Sequence, residues 1–293
     1  MSVAVVDGVL PVDKPPGPTS HDVVASARRA LGVRKIGHTG TLDPFASGLL
    51  LLCVGAATRL AEFLSGLDKR YEATAVLGVA TDTEDREGAV VSTSEGWRHV
   101  GREAVESALV PLRGEILQVP PRSSAKNVGG VSAHRRVRRG EAVVLEPRTV
   151  VVHELELTAF EPPVVRLSVL CSSGTYVRSL ARDLGDALSV GAHLTGLRRT
   201  AIGPHGVAGA LPVDALVDPA RVRSAMMRPL EALPHLPRVD MTAEGALDIR
   251  HGRPAPVAAR SDVGPVLATS DATLIAVGEI REGRFHPRKV FDA

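Results

Sequence analysis

The sequence predicts an α+β fold, and three observations carry that prediction. Strand-like apolar runs and amphipathic helices are interspersed without the regular strand–helix–strand repeat of a doubly wound sheet. A length of 293 residues leaves room for one large core and a smaller appendage. From Met241 onward, one short helical pattern precedes three alternating strand patterns, which marks a small β-rich unit.

The elements follow in order. Val3–Val6 reads as a short strand, and VDKPPGPTS as a loop punctuated by Pro and Gly. Ser20 is placed to cap a helix whose Val23, Val24, Ala27 and Leu31 share one face, and Gly32 ends it. Leu49–Val54 is short and apolar on both faces, as in a fully buried strand. Ala57–Leu67 reads as a helix with Leu60, Phe63 and Leu64 inward, and YEATAVLG alternates as a strand. A helix is expected over 102–112, then a loop at QVPPRSSAKNVGG and a basic helix near Ser132 to Arg139. Strands at Glu154–Phe160 and Val164–Leu170 precede a helix in SGTYVRSLARDLGDAL. Its stripe is Val177, Leu180, Ala181, Leu184 and Leu188. Pro229, Pro234 and Pro237 crowd a segment that reads as a linker. The expected division is therefore 1–228, a linker at 229–238, and a C-terminal unit over 239–293.

Composition narrows the function classes. With 44% apolar and 23% charged residues, the chain is globular and not disordered. Its longest uncharged apolar run, Gly48–Ala57, is too short to span a bilayer, and with no basic region leading into an apolar core near Met1 no secretion is expected. Cys53 and Cys171 are the only cysteines and stand apart from any metal-like cluster. A cytoplasmic protein without metal is the expectation. The net charge is only +2, yet basic residues clump in HRRVRR and at Arg28-Arg29, Arg34-Lys35, Lys69-Arg70 and Arg198-Arg199. Single pairs fit solvated helix faces, whereas several clumps together suit a polyanion partner. Aromatic residues are only 3%, so the positions of the two tyrosines, Tyr71 and Tyr176, carry information.

One short stretch, GHTGTLDPFASG, sets His38 and Asp43 among glycines just before the buried Leu49–Val54 run. Asp-Pro is a common turn initiator. The stretch lacks the phosphate-loop pattern, and no metal-ligand spacing surrounds His38 and Asp43. A lone carboxylate in a flexible turn against a buried strand suits a nucleophile or base. It has no nearby acidic partner of the kind a glycosidase pairs. Arg178 falls in the first turn of its helix, where a cation opposes the macrodipole and calls for an anionic partner. Pairing Asp43 with Arg178 would keep the carboxylate ionised.

GHTGTLDPFASGLL, KRYEATAVLG with TDTEDREG, SSGTYVRSLARDLG and LTGLRRTAIG occur in order. On these motifs the sequence closely resembles the bacterial TruB family of tRNA pseudouridine-55 synthases, from Val12 to about Leu216. Beyond that, it more weakly resembles a PUA-like C-terminal segment. The resemblance implies a mixed, mainly antiparallel sheet flanked by helices, with an RNA-closing thumb over about 118–145. It further implies isomerisation of a T-loop uridine in tRNA, by a monomer, with no cofactor and no guide RNA. Asp43 matches the catalytic aspartate. Tyr71 matches the tyrosine that stacks on the flipped uracil and is proposed as base, and Arg178 matches the arginine paired with the aspartate. Tyr176 packs beside that pair, and Leu197 lines the base pocket. His38 matches the histidine inserted into the T-loop. Lys14 and Pro15 match an element supporting the active-site loop, and Lys14 is counted with the substrate-binding residues.

The thumb departs from the family pattern. Ser123, Asn127 and His134 stand where Tyr, Lys and Tyr are expected. Arg135, Arg136, Arg138 and Arg139, with Arg122 and Lys126, are the cations left to meet phosphate. Two rivals remain at this stage: a guide-RNA-dependent relative of the dyskerin/Cbf5 type, and a non-catalytic tRNA-binding factor. TDTEDREG and the short C-terminal part favour the stand-alone form, and the Asp43, Tyr71 and Arg178 trio favours an enzyme.

Overall fold

A computed structural model describes residues 7–121, 127–128, 131–132, 145–258 and 261–291. The chain runs through β1 (Gly8–Lys14), α1 (Ser20–Leu31), β2 (Ile36–His38) and β3 (Ser47–Val54). A 3-10 turn at Gly55–Leu60 leads to the short α2 (Ala61–Ser65). Next come β4 (Lys69–Leu77), the hairpin of β5 (Val79–Thr81) and β6 (Val90–Thr93), α3 (Arg102–Leu109) and β7 (Gly114–Gln118). Beyond β8 (Asn127–Val128) and β9 (Val131–Ser132) lie β10 (Arg148–Glu161), β11 (Val164–Cys171), α4 (Val177–Ala187) and β12 (Ala192–Ile202). β13 (His205–Gly206), β14 (Leu211–Pro212), α5 (Pro219–Ser224) and β15 (Arg238–Asp240) follow. α6 (Ala243–Arg250), β16 (Ala255–Pro256), β17 (Val263–Ser270), β18 (Thr273–Arg281) and β19 (Arg284–Val290) complete the chain.

The expected α+β class holds. The larger sheet has the order β14-β1-β3-β12-β4-β11-β10-β7, with β2 added to β3 and β13 to β12. Only β1–β14 and β3–β12 pair parallel, so the sheet is mixed and mainly antiparallel. β4 lies centrally between β12 and β11, so Tyr71 is not an edge-strand aromatic. The apolar stripe of α4 packs with Ala73, Ala75 and Leu77 of β4 and Val165, Leu167 and Val169 of β11. A second sheet, β15-β17-β18-β19-β16, brings Leu267, Leu274 and Val277 against Val9, Leu49, Leu51 and Cys53 of the larger one.

Several expectations change in detail. The cap of α1 is Thr19, not Ser20: Thr19 and Asp22 form a reciprocal capping box, which leaves Ser20 free to face inward. Val12–Lys14, read as loop, belongs to β1, while Val3–Val6 lies outside the described residues. The helix expected over Ala57–Leu67 splits into the 3-10 turn and α2. β7 escaped the sequence reading because it is an outer strand with mostly exposed residues and no apolar alternation. The proline-crowded linker is not a solvated tether, since its Ala232 and Leu233 are fully buried between the two sheets. Ser132 ends β9, and the remainder of the expected basic helix lies outside the described residues.

Candidate active site

The loop between β2 and β3 carries Asp43, and three side chains from three elements tie it down. Lys14 at the end of β1 is fully buried and donates to the carbonyls of Pro15 (3.0 Å), Pro44 (3.3 Å) and Ala46 (2.7 Å). Ser20 of α1 accepts from Leu42 N–H at 2.8 Å and donates to Leu42 O at 3.0 Å. Arg199 of β12 donates to Leu49 O (2.8 Å), Gly40 O (3.0 Å) and Thr41 O (3.4 Å). Gly48 lets the Arg199 backbone come this close to β3. Its φ is +107°, and a Cβ there would meet Arg199 backbone atoms at 2.2–2.8 Å. Gly48 thus allows close backbone approach of β12 to β3, and buried donors hold the loop that precedes it.

Held in this way, Asp43 meets Arg178 of α4. Asp43 Oδ2 lies 3.0 Å from Arg178 Nε, and Arg178 Nη2 donates to Asp43 Oδ1 at 3.4 Å. On its other side, Arg178 Nη1 lies 3.1 Å from Asp85 Oδ2 and donates to Thr83 O at 2.8 Å. Asp85 is itself fixed by Thr83 Oγ1 at 2.6 Å and Glu87 N–H at 3.0 Å. Burial lifts the Asp43 pKa above its ordinary value, and the Asp85 charge adds to the rise; Arg178 and Lys14 oppose it. The Arg178 contribution is downward as the sequence suggested, but desolvation is larger and the net direction is upward.

Asp43 opens on a cavity of about 400 Å³, shared by Leu42, Lys69, Tyr71, Tyr176, Arg178 and Leu197 among others. That volume lies toward the small end of the range for ligand pockets. Tyr71 is buried in the wall. Burial raises its pKa, while the positive charge of Arg199 pulls the other way. Tyr176 is held at the N-terminus of α4 by Gln118 of β7, which accepts from its N–H (2.8 Å) and donates to its carbonyl (3.1 Å). His38 sits half-buried where the loop leaves β2, and its Nδ1 accepts from Gly40 N–H at 3.3 Å. Burial and the nearby Arg199 lower its pKa, which favours a neutral ring with the proton on Nε2.

Five sequence candidates therefore meet at one cavity: Asp43, Tyr71, Arg178, Tyr176 and Leu197. His38 stands beside that cavity without lining it. Lys14, expected to bind substrate, is instead sealed beneath the loop and can only support it. Arg135, Arg136, Arg138 and Arg139 lie outside the described residues.

Asp85, Arg199, Lys69 and Gln118 were not singled out as site residues. Lys69-Arg70 and Arg198-Arg199 count in the sequence only as basic clumps, on solvated helix faces or on a surface for a polyanion, but both pairs fall on strands. Period-two alternation turns Lys69 and Arg199 inward and leaves Arg70 and Arg198 to pair with Glu154 and Asp13. No group of three or more metal-ligating side chains occurs among the described residues, and no helix of the described residues is long and apolar enough to cross a membrane.

Comparison with known proteins agrees with this architecture. The profile of the TruB family pseudouridylate synthase N-terminal domain matches residues 28–177. That of the tRNA pseudouridylate synthase B C-terminal domain matches residues 178–233. The two matches meet inside α4, so Asp43 and Arg178 come from different matched halves. The tRNA pseudouridine synthase B of Symbiobacterium thermophilum is 50% identical over 250 residues, 84% of this chain and 82% of that one. The protein of the same description from Azoarcus sp. is 43% identical over 288 residues, 98% and 95% of the two chains. Among solved structures, an H/ACA RNP bound to a substrate RNA containing 2'-deoxyuridine matches with a TM-score of 0.75 and 28% identity. That match covers 98% of this chain and 85% of the other. A Cbf5-Nop10-Gar1 complex matches with a TM-score of 0.73 and 28% identity, covering 97% and 85%.

Proposed function

The chain belongs to the TruB family of pseudouridylate synthases and is an isomerase, and from that premise we propose that it converts uridine 55 in the T-loop of tRNA to pseudouridine. The observation that carries this reading is the placement of Asp43, clamped by Arg178, in the same cavity wall as Tyr71. Isomerisation breaks N1–C1′, turns the base and joins C5 to C1′. The base must first leave its stack, so a walled pocket has to receive it. Tyr71 and Leu197 supply that wall. Burial favours the neutral phenol of Tyr71, so we assign it stacking on the base ahead of proton removal.

Asp43 acts as its carboxylate, attacking C1′ or taking the 2′ proton to form a glycal. Neither route requires a cofactor. His38, neutral with Nε2–H outward, serves as a donor to the unstacked T-loop, and phosphate contacts and shape supply the rest of recognition. The C-terminal sheet serves as a PUA-like RNA-binding unit, and the enzyme works as a monomer in the cytoplasm.

A guide-dependent mode is the second reading, since the H/ACA and Cbf5 structures share the fold. The curated relatives described as tRNA pseudouridine synthase B reach 50% identity, against 28% for those structures, and this supports stand-alone action. The test is carbodiimide mapping of an unmodified tRNA transcript incubated with purified protein alone. A new pseudouridine at position 55, lost in Asp43→Asn, is the expected result. No T-loop modification, or equal modification by Asp43→Asn, would overturn the reading.

A further inference from the structure

Three cations line the cavity, and two of them are already committed. Arg178 is shared between Asp43 and Asp85. Arg199 spends its guanidinium on the carbonyls of Leu49, Gly40 and Thr41. Lys69 differs. It is buried, with 6% relative exposure, and it lines the same cavity two residues before Tyr71 on the same strand face. Its Nζ donates to Ser65 O (2.6 Å) and Leu67 O (2.5 Å), both neutral carbonyls. No carboxylate lies within ion-pair distance of it among the described residues, and the neighbouring Asp68 is paired with His153 at 3.2 Å. Two of three ammonium N–H groups are thus placed, and one remains. Sealing a lysine into a wall without a counter-charge costs desolvation free energy that a structural role alone does not require.

Resting on the function proposed above, we propose that Lys69 is the cation that stabilises the uracil anion released into the cavity when the glycosidic bond breaks. Heterolysis of N1–C1′ leaves the electron pair on the base, delocalised over N1 and the ring carbonyls. The charge develops there whether Asp43 forms a bond to C1′ or removes the 2′ proton, so this role is common to both routes. Lys69 donates a hydrogen bond to the anion without transferring its proton. The charge leaves the base when its electron pair forms the C5–C1′ bond, displacing the Asp43 carboxylate or drawing the 2′ proton back from it, and the C5 proton then lost is matched by one gained at N1. A fixed donor aimed at developing charge in a dry cavity is where electrostatic stabilisation is largest.

Burial lowers the Lys69 pKa to about 8. Arg199 from β12 pushes in the same direction, while Asp68 and Cys171 oppose it. The Cys171 thiol is raised to about 11 and stays neutral through this range. Asp43, Tyr71 and Tyr176, with the Arg178 and Arg199 guanidiniums, are the other titratable or charged groups lining the cavity.

The test measures single-turnover loss of the original nucleoside from a tRNA T-arm carrying either uridine or 5-fluorouridine at the target position. Fluorine stabilises the departing anion, so that substrate needs less help from a cation. Lys69→Met is expected to slow cleavage of uridine by about a hundredfold and of 5-fluorouridine by roughly tenfold, with RNA affinity unchanged. An equal loss on both substrates would assign Lys69 a structural role and overturn the proposal. The wild-type rate should fall as pH rises through about 8, and Lys69→Arg should remove that limb. A limb persisting in Lys69→Arg would also overturn it, and this arm stands even where Lys69→Met fails to fold. If the wild type forms no pseudouridine at all, the functional reading fails and this inference falls with it.

Discussion

Asp85 grips Arg178 from the side opposite Asp43, with Nη1 to Oδ2 at 3.1 Å, so the guanidinium bridges two carboxylates. The Asp85 side chain is 7% exposed and that of Arg178 4%, against 33% for Asp43. The buried pair is therefore the fixed end, and Asp43 is the end presented to the cavity. Removing Asp85 should loosen Arg178 without removing a side chain that lines the cavity.

Asp85→Asn keeps a side chain that Thr83 and the Glu87 N–H can still meet, but it removes the charge. Single-turnover pseudouridine formation should fall about ten- to a hundredfold, as expected for a misplaced catalytic group, while tRNA affinity holds. Equal loss of affinity and rate would place Asp85 in RNA binding instead.

The direction of the Asp43 shift sets two pH effects. The proposed reaction uses the Asp43 carboxylate, so the rate should fall on the acid side through a pKa above the ordinary carboxylate value. The stability effect has the opposite sense. A raised folded-state pKa stabilises the fold while the group is protonated, and that contribution is lost as pH rises through the folded pKa. Denaturant melts of wild type against Asp43→Asn should show the wild type losing ground as pH rises from the ordinary carboxylate range. A gap independent of pH would mean that Asp43 is not shifted.

Gly48→Ala combines a disallowed backbone with a Cβ 2.2 Å from Arg199 O, and backbone cannot swing aside as a side chain can. A loss of about 3 kcal/mol or more is expected, because β3 and β12 must separate where they pair at Gly48 and Arg199. Urea denaturation reads this directly, and a near-neutral result would refute the tight strand approach.

Neutralising Arg135, Arg136, Arg138 and Arg139 together should weaken tRNA binding uniformly across sequences. The slope of log affinity against log salt should flatten by about three to four units, nearly one per lost phosphate contact. An unchanged slope would put that run in solvent.

The sequence by itself determined the elements whose signals are local. α1 ends at Gly32 because a left-handed cap is needed there, and α4 shows its stripe because one face is buried. β3 is legible as a continuous apolar run because both of its faces are covered. Asp43, Tyr71, Tyr176, Arg178 and Leu197 were also readable, through motif order and resemblance. Tertiary structure decided what depends on strand partners and desolvation. Lys69 and Arg199 look like half of two basic pairs until β4 and β12 pair and turn them into the cavity wall. Asp85 lies 93 positions from Arg178, and no local pattern announces that contact. The upward shift of Asp43 follows from burial that only the closed loop creates. GHTGTLDPFASG marks where the carboxylate is; Lys14, Ser20 and Arg199 determine how firmly it is held. Their hydrogen bonds to loop backbone exist only once three separate elements have packed around it.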